Sequence, residues 1–143
     1  MGQRSRWLSA THCFEESDEL RLVIRAESFA ALAAEAGRAL AERAGGSLPP
    51  PATVGEWTEL EVTASDQAAL LVEWLNELIF RAESEGWLPN EIEVLETSPT
   101  RLRARIQHRS WPSRAFPVKA ATLDRARVEA VPGGVLAEGT LDV

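Results

Sequence analysis

The chain has 143 residues, 26% of them charged, and a formal net charge of −7. That length suits one domain with its own core, and the single cysteine, Cys13, excludes an internal disulfide framework and fits a reducing cytoplasm. The acidic balance argues against holding phosphate backbones through the overall field and favours cations or a basic protein surface. The sequence has no apolar run of about eighteen residues, and MGQRSRW at the start is not an apolar signal segment, so a cytoplasmic protein with no membrane partner is expected.

Residues 1–13 read as an N-terminal arm, the first eleven without a period and with Trp7 as their anchor. Residues 14–143 read as a single domain. Leu20, Leu22 and Ile24 alternate with Arg21, Val23 and Arg25, the pattern of a half-buried strand. Ser28 then caps a helix over about 29–44, with Phe29, Leu32, Ala33, Ala36 and Leu40 on its apolar face and Gly45-Gly46 closing it. Pro49-Pro50-Pro51 can neither continue a helix nor donate to a sheet, so it reads as a surface linker. Residues 57–64 form a strand with Leu60 and Val62 on one face.

The most apolar long run follows. Leu71, Trp74, Leu75, Leu78 and Ile79 recur at helical spacing over residues 66–85, with Asp66 as the cap and Gly86 as the stop. Beyond it the chain turns to strands. One is centred on Ile92 and Val94, and a turn at 97–100 leads to the strict alternation of Leu102, Ala104 and Ile106 with Arg101, Arg103 and Arg105. After a loop around Trp111-Pro112 and Phe116-Pro117, strands over 118–131 and 135–143 flank the turn Pro132-Gly133-Gly134. The order β-α-β-α-β-β-β-β predicts an α+β fold of two layers, two helices packed on a mixed, largely antiparallel sheet.

Catalytic patterns are sparse. There is no GxGxxG, GxxxxGK[ST] or GxSxG. His12 and His108 are the only imidazoles, and either could pair with Cys13, although His12 and Cys13, as neighbours in a strand, would face opposite ways. Zinc is poorly served by one cysteine and two histidines. Carboxylates are abundant in two places: Glu15-Glu16-Ser17-Asp18-Glu19, and Asp142 beside Val143. The first is either a solvated loop or one half of an oxygen site for a hard cation. Arg101, Arg103 and Arg105, with Arg125 and Arg127, make either a basic stripe for RNA or a set of cross-strand pairs with Glu91, Glu93 and Glu129. No aromatic residue alternates with them to stack on bases, and the ion pairs are favoured.

The string WLNELIF at residues 74–80, followed by acidic residues and Gly86-Trp87-Leu88, resembles the archease family. So do the strand-helix segment ELRLVIRA running into FAAL, the segment VKAAT at 118–122 and the ending Leu141-Asp142-Val143, so that the resemblance covers roughly residues 14–143. It implies a non-enzymatic activator of an RtcB-type RNA ligase in tRNA splicing and RNA repair. Such ligases join a 2′,3′-cyclic phosphate or 3′-phosphate end to a 5′-hydroxyl through a guanylylated histidine, and the archease promotes guanylylation and turnover. RNA would be met only through the ligase.

The resemblance also implies a divalent cation, calcium first and magnesium or manganese as alternatives, held by Glu19, Asp142 and Val143. Glu19 falls where the family's ligand aspartate stands and Glu16 where its histidine stands. Asp18 would serve only after a one-residue shift that turns it to the other face. Lys119 matches the family pattern, and Asp124 replaces a histidine common there. These departures leave a second reading, an archease-fold protein acting as a chaperone-like or protein-interaction module. A metal-dependent hydrolase would need an open coordination position and a general base, and the sequence shows neither.

Overall fold

The structure is a computed structural model that describes residues 10–45, 55–111 and 116–143. Trp7 and Pro49-Pro50-Pro51 lie outside the described residues. Within them the chain runs β1 (Ala10–Glu16), β2 (Leu20–Ala26), α1 (Phe29–Gly45), β3 (Trp57–Thr63), α2 (Gln67–Glu85), β4 (Trp87–Ser98), β5 (Arg101–Ser110), β6 (Ala120–Val131) and β7 (Gly134–Asp142).

The α+β class and the two helices agree with the sequence. The expected mixed sheet is instead two sheets, with strand orders β1-β2-β7-β6 and β3-β5-β4, and every pairing in both is antiparallel. Both helices touch both sheets: α1 packs on β1, β2 and β4, and α2 on β3, β4 and β6. The core lies between these layers. Leu22, Ile24, Leu32, Leu40, Trp74, Leu75, Leu102 and Ile106 are all buried in it.

The capping signals act as their chemistry dictates. The Ala31 amide donates to Ser28 Oγ at 3.1 Å and opens α1, and the Ala69 amide donates to Asp66 Oδ1 at 2.8 Å and opens α2. Gly86 ends α2 at φ 73°, a left-handed backbone that a side chain would disfavour, and its amide donates to the Ala82 carbonyl at 3.1 Å.

Two features depart from the sequence reading. Strand β4 begins at Trp87 and accommodates Pro89 because it is an edge strand, with register shifts at Pro89/Glu91 and Val94/Glu96. Strand β1 takes residues 10–13 out of the expected arm and into the domain. It pairs with β2 from Ala10↔Ala26 to Glu16↔Leu20.

Candidate functional site

The chain's two carboxylate regions meet at one corner of the larger sheet. Leu20 pairs with Leu141, so the next antiparallel step sets Glu19, just ahead of β2, opposite Asp142 at the end of β7. Leu20 and Leu141 are buried beneath, so Glu19 and Asp142 share the outward face. On the other side of β7, Ala120 pairs with Asp142, and the Lys119 amide donates to the Asp142 carbonyl at 2.7 Å. Lys119 is exposed there. Val143 follows directly and is also exposed.

Glu16 and Asp18 are not part of this corner. Glu16 pairs with Leu20 and so projects to the α1 side, where its Oε1 accepts from Arg43 Nη2 at 2.8 Å. Asp18 is exposed in the bend between β1 and β2.

The sequence reading puts Arg125 and Arg127 in a stripe with the β5 arginines and misses that they and Arg21 fill this same outward face. Arg125 Nη2 donates to Glu19 Oε1, and Arg21 Nη1 lies 4.0 Å from that oxygen. Arg125 sits where β6 loses register with β7, between Thr122 and Arg127, and has a left-handed backbone at φ 54°. One step further along, Glu138 accepts from Arg21 Nη2 at 2.8 Å and also from Arg127. The hydrogen bond from Arg21, then that from Arg127, holds the Glu138 carboxyl below the usual carboxylate range against the opposing effect of burial. Thr140, opposite Arg21, is buried, and its hydroxyl has no hydrogen-bond partner.

The remaining candidates are held apart. His12 faces α1, its Nδ1 2.5 Å from Glu35 Oε2 and its Nε2 3.3 Å from Glu42 Oε1, while Cys13 is exposed. His108 is in the other sheet, stacked on Trp87 with ring centroids 4.1 Å apart and bonded to Thr58 Oγ1 at 2.6 Å. Neither histidine is brought to Cys13.

The arginine stripe is divided as well. Arg101, Arg103 and Arg105 lie on β5, whereas Arg125 and Arg127 lie on β6 of the other sheet. Each of these three β5 arginines meets a carboxylate: Arg101 meets Glu61, Arg103 meets Glu59 at 2.9 Å and Glu96 at 3.2 Å, and Arg105 meets Glu93. The arginines are ion-paired as expected, but of the expected partners only Glu93 pairs across strands; Glu129 meets Arg127 within β6, and Glu59, Glu61 and Glu96 take the other places.

The model of the archease protein family (MTH1598/TM1083) matches residues 13–143. The chain belongs to the archease family. Two solved structures share this archease's fold. One is an archease from Thermotoga maritima, described as a possible chaperone, with TM-score 0.61 and 20% identity over 93% of this chain and 100% of that one. The other is protein 1598 of Methanobacterium thermoautotrophicum, with TM-score 0.67 and 20% identity over 94% of this chain and 99% of that one. A search of curated proteins returns no match.

The divalent cation that the archease pattern implies is a poor fit to this corner. Glu19 and Asp142 are oxygen donors of the right kind, but one oxygen of Glu19 is already bonded to a guanidinium. Among the described residues no group of three or more His, Cys, Asp or Glu side chains gathers at ligand distances. The orphaned Thr140 hydroxyl does not repair the set, because its cross-strand neighbour is the cationic Arg21.

Proposed function

We propose that this archease is a non-enzymatic activator of an RtcB-type RNA ligase in the cytoplasm, promoting guanylylation and multiple turnover of that enzyme. RNA is handled by the ligase, and the archease meets the ligase. The family match over residues 13–143 is the observation that carries this reading. Its working end is the Glu19–Asp142 corner, where two of the family's site residues follow directly on the last β2–β7 pair, Leu20 with Leu141. An exposed corner of fixed charges built on strand ends can press on the ligase's loaded site without moving a proton itself.

The ion-paired Arg101, Arg103 and Arg105 favour a protein partner over direct contact of this stripe with RNA, since phosphate contacts need unpaired cations. The test is a multiple-turnover ligation assay with GTP and Mn²⁺, using the ligase from the same source. Stimulation by the wild type and its loss in Asp142→Ala are expected. Equal stimulation by both proteins would remove the corner from the mechanism.

A chaperone-like role is the second reading. The departures at Glu16, Glu19 and Asp124 favour it, as does the description of the Thermotoga maritima protein. It expects a folded wild type that leaves the ligase unstimulated.

A further inference from the structure

We infer that the guanidinium of Arg125 is the resident cation of the Glu19–Asp142 corner, standing where the family pattern places a divalent ion. Three observations converge on this. Arg125 donates to Glu19 Oε1, the carboxylate that would be the first metal ligand. Its backbone holds a left-handed conformation, which residues with a side chain rarely adopt, in the short stretch where β6 leaves its register with β7. That irregularity lets a residue of β6 reach across β7 to the start of β2. Arg21 faces the same Glu19 oxygen from the other side at 4.0 Å, so a divalent ion at this point would meet two fixed positive charges.

The two cations differ in what they need. Calcium requires six to eight oxygens, whereas a guanidinium is satisfied by one carboxylate and water. Here one Glu19 oxygen is already bonded to Arg125, so the corner is matched to arginine while that guanidinium stays and is open to an ion once it is removed. The longer Glu19, in place of an aspartate, extends the carboxylate towards that guanidinium. The corner keeps a positive centre between strand ends and needs no metal to do so.

The test uses the full chain, stripped with a chelator, and no ligase, so its failure leaves the ligase reading untouched. Calcium binding is measured by titration calorimetry, and melting temperature is measured with calcium and with EDTA. The wild type is expected to bind no calcium up to millimolar concentrations and to melt identically in both buffers. Arg125→Ala is expected to bind calcium at least about tenfold more tightly and to melt higher with calcium than with EDTA. Arg125→Lys, which keeps a cation, should behave as the wild type. The calcium response of Arg125→Ala should vanish when Glu19→Gln is added. Calcium binding to the wild type as tight as to Arg125→Ala, no response in Arg125→Ala, or a response that survives Glu19→Gln would each overturn the proposal.

Discussion

Asn76 and Ala121 exchange two hydrogen bonds: Asn76 Nδ2 donates to the Ala121 carbonyl at 3.0 Å, and the Ala121 amide donates to Asn76 Oδ1 at 2.8 Å. A side-chain amide of α2 thereby occupies the free edge of β6, as a neighbouring strand would. It covers the β6 edge at Ala121, on a strand that ends its sheet.

Asn76→Ala leaves both backbone groups of Ala121 without partners at a partly buried edge. The expected loss is about 1–3 kcal/mol in urea unfolding. Asn76→Asp keeps the acceptor but turns a negative oxygen on the Ala121 carbonyl, so it should be no better than alanine. A loss below about 0.5 kcal/mol for Asn76→Ala would mean that water replaces the amide without cost.

Glu138 links stability to acid pH. Arg21 and Arg127 lower its native pKa, so the unfolded chain binds a proton more readily than the folded one. The stabilisation is present in full above the ordinary glutamate pKa of about 4.3 and is lost as pH falls through the lower native value. Glu138→Gln should therefore cost about 1.5–3 kcal/mol near neutrality and almost nothing once both proteins are titrated. Urea unfolding of the two proteins from neutral pH downward gives the curves, and a gap that stays constant would rule out the carboxylate charge as the cause.

The carboxylates on β3 and β4 mask the arginines of β5. The wild type should show no saturable binding to a single-stranded RNA at low salt. Replacing Glu59, Glu61, Glu93 and Glu96 with Gln uncovers the stripe, and binding should then appear and weaken as salt rises. Fluorescence anisotropy decides it. Equal affinity in the two proteins would return RNA binding to the wild type.

The parts of the fold that follow local rules were legible in the sequence. Helix α2 carries its own cap at Asp66 and its own stop at Gly86, and β2 and the Arg101–Ile106 part of β5 alternate between core and solvent. Strand β1 was hidden because its inward face is mixed: His12 and Glu16 interrupt Ala10 and Phe14 where apolar residues would have shown the period, and α1 satisfies them through Glu35, Glu42 and Arg43. At the corner, Glu19 and Asp142 were found through the family pattern. The link from Arg125 to Glu19 spans 106 residues and depends on an irregularity in β6 that no periodicity signals. The sequence singles out Arg125, but as one of a stripe that would need β5 and β6 side by side in a single sheet.

Gly37 lets α1 lie close against Ile92 of β4. A Cβ added there would lie 2.2 Å from Ile92 Cδ1 and 3.3 Å from Leu78 Cδ1. Alanine in a helix interior is ordinarily worth about 0.5–1 kcal/mol over glycine, but overpacking a core costs about 1–3 kcal/mol, so Gly37→Ala should destabilise on balance. The nearest atom is the end of one side chain, and Ile92→Val removes it. That change alone should cost about 0.5–1.5 kcal/mol. In the double variant the new methyl takes up the space of the old one, so the two losses should fail to add by about 1 kcal/mol. Additive losses in urea unfolding would place the obstacle in the backbone or at Leu78, and the helix would then be held off the sheet by something other than Ile92.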